Sequence, residues 1–364
     1  MNRLRATHCD FSVYNAGYPH FLRNFSRDSL TSGMILGEAG SQDAALVLKE
    51  QLLFSAYKQG DKKNPHTGEE PGKIHHEFPG VLIEKLSTEY NACDTTALFL
   101  IAHRRYKELT GDSSLIIQQG RNIERAVEYI SSHLSKGFFQ ESPAYCGANK
   151  LALGITYWKD SVIAGRKNGN PVYPVVYSLA HVLNLNAIRS AAAILDTSEL
   201  KVLSEELAQV LPKLFDTELG GFYLAIDQSG PIKGVSSDSL HALFYLEQGD
   251  LTKEQLGSIA HSSEVLETPI GYRTLDPNIS EPSNDPYHAS TVWPFEQAII
   301  HMGARKWGLK NVAAVSERIV SRLENSDHEL FKIDTSGEIK EDGCKVQLWT
   351  IAAKRYLKEI KVKI

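Results

Sequence analysis

Helical periodicity recurs along almost the whole chain, and it limits the fold more than any other feature. Apolar residues fall three and four apart in segments 43–57, 95–109, 114–133, 174–195, 198–215, 237–246, 291–307 and 312–324, and again from Gln347 to Leu357. Each such helix carries an apolar stripe that has to be covered by another element. One stretch reads differently: residues 221–227, followed by Gln228-Ser229-Gly230, form the best hairpin candidate. About a dozen helices, at roughly 30 residues per helix and loop, fill the 364 residues.

The segments between are long. Residues 60–80, 137–154, 165–171 and 269–288 are rich in Gly, Pro and Asn. Ordered loops of that length are usually functional. No composition shift marks a linker, so residues 1–364 read as one domain. No fixed-period repeat is present, which argues against a stacked solenoid. A toroid of helical hairpins with the long loops lining a pocket on one face fits this pattern; periodicity by itself leaves an irregular helical bundle open.

The net charge of −5, with Lys and Arg scattered, offers no patch for nucleic acid or an anionic membrane. Cys9, Cys93, Cys146 and Cys344 are too far apart for a zinc ribbon or a redox pair. The N-terminus shows no apolar leader, and no apolar run reaches the roughly 18 residues of a membrane helix. A cytoplasmic protein with no membrane partner is the expectation.

Candidate chemistry concentrates in a few clusters. Arg27-Asp28, among Tyr18, Phe21 and Phe25, suits bidentate recognition of sugar hydroxyls; Asp28 is equally a helix N-cap. His75-His76-Glu77 lacks metal-site spacing and reads as hydrogen bonding to a sugar or as a polar loop. Asp94 before segment 95–109 has the same N-cap alternative. Tyr157-Trp158-Lys159-Asp160-Ser161 places an acid beside a flat ring, an ammonium and a hydroxyl. The ring suits the apolar side of a pyranose, and a carboxyl whose pKa is raised by burial can protonate a glycosidic oxygen. A second carboxylate then has to activate water, and Glu329 is the first candidate. His288 and Trp293 stand before Glu296, and Trp349 closes the series. Three of four tryptophans thus fall within these clusters.

In order, these segments resemble the α-1,6-glucosidase domain of glycogen-debranching enzymes, within the six-hairpin glycosidases. The resemblance rests on Ala16-Gly17-Tyr18-Pro19 with Arg27-Asp28, Gly72–Glu77, Tyr90–Thr95, Trp158–Ser161, Arg273-Thr274-Leu275, His288–Pro294, Glu329-Leu330-Phe331 and Cys344–Trp349. It implies an all-α (α/α)6 barrel with a few short strands in loops, and an inverting hydrolase acting on an α-linked glucoside or short α-glucan. By the same resemblance Asp160 is the general acid and Glu329 the general base. Tyr18, Arg27, Asp28, His76, Glu77, Asp94, Trp158, Lys159, His288, Trp293 and Glu296 would then line the sugar subsite, without metal or cofactor. Debranching enzymes carry large domains ahead of this one, whereas here the first motif lies near the N-terminus, so a small saccharide fits as well as glycogen. Relatives often carry a shorter or amide side chain near Glu296, which makes Glu296 a second candidate base. A non-catalytic carbohydrate-binding protein and an (α/α)6 phosphorylase or epimerase are the rival readings. A terpene cyclase has no support, because no DxDD or DDxxD cluster is present.

Overall fold

The computed structural model describes residues 1–161, 166, 169–280, 287–334 and 336–362. Parts of the expected loops 165–171 and 269–288 lie outside the described residues. Eleven helices of seven or more residues occur among the described residues. They are α1 (Ser26–Glu38), α2 (Asp43–Tyr57), α3 (Thr95–Thr110), α4 (Gly120–Ser132), α5 (Ser178–Leu195) and α6 (Ser198–Gln209), followed by α7 (Asp238–Tyr245), α8 (Lys253–Ser262), α9 (Pro294–Trp307), α10 (Lys310–Ser316) and α11 (Leu348–Val362).

Burial divides them into two kinds. In α1 every residue from Ser26 to Leu36 is buried, and in α9 every residue from Pro294 to Ala304. A helix covered on all sides has neighbours on all sides. By contrast, α4 buries only Ile123, Ala126, Tyr129 and Ile130, α6 only Ser204 and Leu207, and α8 only Ile259. The odd-numbered helices pack on one another in sequence: α1 on α3, α3 on α5, α5 on α7, α7 on α9, α9 on α11, and α11 back on α1. The even-numbered helices lie outside them, α2 on α1, α4 on α3, α6 on α5, α8 on α7 and α10 on α9. Among the described residues, no helix is long and apolar enough to cross a membrane.

Local chemistry sets the helix ends. Thr252 and Gln255 form a reciprocal capping box at α8, and Pro294 opens α9, where its missing N–H costs nothing. Several boundaries differ from the periodicity. Segment 114–133 breaks at Gln119 into two helices, and segment 198–215 ends its main helix at Gln209 before a single turn, Leu211–Leu214. The helix expected from 174 begins at Ser178, after Val176–Tyr177 pairs with Ala225–Asp227.

Short antiparallel pairs precede the inner helices and tie the loops together. Asn24–Phe25 pairs with Glu77–Phe78 before α1, Thr291–Val292 with Leu330–Ile333 before α9, and Val346–Gln347 with Gly17–Tyr18 before α11. The hairpin expected at 221–227 is divided between two sheets. Gly221–Phe222 pairs back with Phe215–Asp216, while Ala225–Asp227 turns into Gly230–Ile232. A further hairpin, Leu330–Ile333 with Ile339–Asp342, was not expected from the sequence.

Candidate active site

The residues singled out by sequence gather where the inner helices begin. Arg27 and Asp28 occupy the first turn of α1, Asp94 immediately precedes α3, Trp293 precedes α9, and Gln347 and Trp349 flank the first residue of α11. A pocket of about 400 Å³, open solvent at its mouth included, lies there. Larger hollows of about 980 and 960 Å³ exist elsewhere. The former is lined at the opposite helix ends, by Glu38, Arg305 and Tyr356 among others. The first sets its carboxyls, Glu38 and Glu359, beside Arg105, Arg305 and Lys306, and the second has Tyr14 as its one ring among the described residues, whereas the smaller pocket holds Asp28, Asp160 and Glu329 against a wall of aromatic rings, so chemistry rather than size selects it.

Arg27, Asp28, Trp158, Asp160, His288, Trp293 and Glu329 line the pocket, together with Ala16, Phe21, Phe25, Tyr287, Gln347 and Trp349. Asp160 and Glu329, 169 positions apart, thus face one hollow. Phe295, below the lining, stacks on Trp349 at 3.9 Å and meets Trp158 edge-on at 5.3 Å. His288 stacks on Trp293 at 5.1 Å. These contacts fix the aromatic walls before any ligand arrives.

Asp160 keeps 22% of its side chain exposed, so water reaches it. Arg27 Nη1 donates to it at 3.1 Å while Arg27 Nε and Nη2 clamp Asp94 at 2.9 and 3.0 Å. Burial pushes the Asp160 carboxyl up, Arg27 pulls it down, and the charges of Asp94 and Glu77 push up again, leaving it at about 6. Glu329 is 1% exposed. Its Oε1 accepts from the Tyr287 hydroxyl at 2.6 Å and its Oε2 from the Cys344 amide at 2.8 Å. Burial raises the Glu329 pKa, these two donors oppose the rise, and the charge of Asp160 adds to it. The two carboxyls therefore feel each other, and protonation of one favours ionisation of the other. Asp28 is pushed well above the usual carboxylate range, first by burial and further by Glu329 and Asp160, against Arg27. Gln347 Nε2 donates to it at 3.0 Å.

Two glycines make room for this arrangement. A Cβ on Gly17 would lie 1.8 Å from Gln347 Oε1, and one on Gly343, at φ 72°, would lie 2.4 Å from Glu329 Oε2.

The other expected site residues stand behind the lining or outside it. Asp94 sits at the N-cap position of α3 but makes no capping bond, because its carboxylate is spent on Arg27. Asp28 lies in the first turn rather than at the cap, which is Phe25. Lys159 is buried behind Trp158. Its ammonium donates to Ser236 and Ser237 hydroxyls and to the Thr274 carbonyl, and it meets Asp238 at 3.0 Å. Asp238 also accepts from Trp158 Nε1 at 3.0 Å and Tyr157 at 3.2 Å, which orients the whole segment. Glu77 bonds Arg23 and Thr88. His76 approaches Asp160 at 3.7 Å from behind, and burial beside Arg27 holds its pKa well below the usual histidine value. Tyr18 is 53% exposed, outside the lining. Glu296 is fully buried, accepts from Ser237 at 2.6 Å, and does not line the pocket. The sequence did not single out Tyr287 or Gln347; Tyr287 lies in the long loop 269–288 next to His288, and Gln347 inside the segment Cys344–Trp349.

No protein-family model matches the sequence, and no curated sequence is similar to it. Solved structures are. The fold is similar to that of a GH63 mannosylglycerate hydrolase from Thermus thermophilus in complex with glucose, at a TM-score of 0.66 and 15% identity over 95% of each chain. The GH78 family rhamnosidase of a Bacillus species matches at a TM-score of 0.63 and 13% identity, over 93% of this chain and 32% of that one. A rhamnosidase from Klebsiella oxytoca with rhamnose bound matches at 0.62 and 13%, over 96% of this chain and 60% of that one. At such identities the likeness is one of fold.

Proposed function

We propose that this chain is an inverting glycoside hydrolase built as a single (α/α)6 barrel domain, acting on an α-linked glucoside or short α-glucan. The observation that carries this reading is the shared pocket of Asp160 and Glu329, two carboxyls in unlike environments. Asp160 is the general acid: with a pKa of about 6 it holds a proton at mildly acidic pH and can pass it to the glycosidic oxygen. Glu329 is the general base. Its two donors hold it in a fixed orientation and favour the ionised form, while the proton on Asp160 removes the repulsion that would otherwise protonate it. Water between Glu329 and the anomeric carbon attacks as the leaving group departs on the Asp160 side. Inversion asks for carboxyls roughly 6.5–9.5 Å apart. The Arg27–Asp94 clamp fixes Asp160, and the Trp158–Asp238 bond fixes the ring beside it.

The closed succession of six inner helices supports the barrel. Neighbours whose structures hold glucose or rhamnose support a small saccharide as ligand. The debranching-type motifs favour an α-glucosyl group. The test is reducing-sugar release from isomaltose, maltose, limit dextrin, trehalose and glucosylglycerate, with the product anomer followed by NMR. Release of β-glucose first is the expected outcome. α-Glucose first removes the inverting mechanism, and no release from any of them removes the α-glucosidase assignment.

A further inference from the structure

We infer that the hollow at the far ends of the inner helices is a second binding site, and that it takes a sugar phosphate. The inference does not rest on the glycosidase reading.

That hollow, of about 980 Å³ with open solvent at its mouth included, gathers side chains from α1, α3, α7, α9 and α11 toward their C-termini. Three cations line it: Arg105 from α3, and Arg305 and Lys306 from α9. Arg305 and Lys306 stand in the last turn of α9, where cations oppose the helix dipole. The dipole does not account for Arg105, which lies five residues before the end of α3 and is held from the side. Its guanidinium sits 5.7 Å from the centre of the Phe244 ring and meets Glu38 at 3.6 Å and Glu108 at 3.2 Å. Both carboxylates reach it through one nitrogen, Nη1, of a group that carries five donors. Lys306 is fixed as well, donating to the Phe244 carbonyl at 3.0 Å and to the Leu246 carbonyl.

Like charges thus converge on one space. Burial lowers the Lys306 pKa, Glu247 and Asp250 oppose the fall, and the charges of Arg105 and Arg189 add to it. An anion in the hollow relieves that repulsion, and a phosphate has oxygens enough to meet two or three cations at once. The rest of the lining says what the phosphate is attached to. Glu38 and Glu359 face the same hollow, and a carboxylate repels phosphate but accepts from hydroxyls. Phe244, Met302 and Ile360 supply an apolar wall. The Tyr356 hydroxyl, bonded to His301 Nδ1 at 2.9 Å, adds a fixed polar tip. A hydroxyl-bearing ring with one phosphate answers cations, carboxylates and wall together; a bare inorganic anion answers the cations alone.

Calorimetry at low salt on the whole chain tests this, with glucose 6-phosphate, glucose and inorganic phosphate as probes. Glucose 6-phosphate is expected to bind with a Kd of about 1 mM or tighter. Arg305→Ala and Lys306→Gln should each weaken it about 10-fold or more, the worth of one charge-assisted bond; Gln at 306 keeps a donor for the carbonyls. Both substitutions should leave glucose binding unchanged. Asp160→Asn should leave glucose 6-phosphate binding unchanged, because the two hollows lie at opposite helix ends. Failure of the unaltered chain to bind glucose 6-phosphate overturns the inference. So does binding that Asp160→Asn weakens and the other two substitutions do not. Inorganic phosphate bound as tightly as glucose 6-phosphate overturns it too, since the sugar hydroxyls would then contribute nothing.

Discussion

Two of the buried ionic clusters among the described residues, one around Lys73 and one around Arg27, are built to opposite ends. Around Lys73 every charged group is answered. Its ammonium lies 3.0 Å from Glu70 and 3.8 Å from Glu141. Glu70 also pairs with His133 at 2.9 Å, and Glu141 accepts from the Ser142 amide at 2.8 Å. Lys73 and His133 hold the Glu70 pKa down at about 2 although burial alone would raise it. Around Arg27 the balance is left incomplete. Asp160 and Asp28 are pushed up rather than down. Gln347 Oε1 and Trp349 Nε1, both buried, have no hydrogen-bond partner among the described residues. A satisfied cluster pins loops together; one with raised carboxyls and unanswered polar atoms around a hollow is prepared for a ligand.

Substitution should separate the two clusters in kind. Asp160→Asn and Glu329→Gln are expected to lower kcat by about 10²–10⁴-fold while the melting temperature holds or rises. The rise has a stated sign. Asp160 has a folded pKa above its ordinary value of 3.8, so its contribution to stability is fully present below pH 3.8 and is lost as pH climbs through about 6. Removing the charge therefore helps most above pH 6, and a melting temperature that drops there would contradict the electrostatic account. Lys73→Met should do the reverse. It strands two buried carboxylates and is expected to cost about 3–5 kcal/mol of stability, read by denaturant unfolding.

Much of this contrast was legible in the sequence, but unevenly. Asp160 and Glu329 were both visible as candidates, because an acid beside Trp158 and an acid before Leu330-Phe331 stood in ordered motifs. That they share a hollow depends on helix starts converging from residues 26, 95, 294 and 348, which periodicity does not encode. Asp94 was ambiguous because a carboxylate before a helix is both a cap and a free anion; only the approach of Arg27 from 67 positions away decides it. Lys159 looked like a ligand group because its neighbours are. Alternation along an irregular segment turned it inward onto Asp238. Tyr287 gave no signal, since one tyrosine in a Pro/Asn-rich loop is ordinary until Glu329 is seen 2.6 Å away.

Tyr287→Phe sharpens the comparison within the open cluster. It removes one of two donors to Glu329 and leaves the fold alone. The Glu329 pKa then rises further, so the acidic limb of the pH–rate profile should move to higher pH and kcat should fall about 10-fold. On the proposed assignment the basic limb belongs to Asp160, which would have to be protonated to act. Activity of the unaltered enzyme should therefore fall as pH rises past about 6. In Tyr287→Phe that limb should stay where it is. Movement of the basic limb instead would mean that the two carboxyls have been assigned the wrong way round.

The smallest effect is expected at Glu296, and it decides which carboxylate is the base. Glu296 is as acidic a candidate as Glu329 in the sequence, and both end within buried polar surroundings. The difference lies in what each one faces. Glu329 lines the hollow; Glu296 lies behind it, with Ser237 donating to one oxygen and His241 at 3.6 Å. Glu296→Gln preserves volume and an acceptor for Ser237, so it should leave kcat within about 3-fold, since a base in direct use would be worth about 10²–10⁴-fold. A loss as large as that of Glu329→Gln would transfer the base role to Glu296. It would also mean that water reaches a carboxylate at 0% exposure, so the wall formed by Trp158 and Trp293 would have to open during turnover.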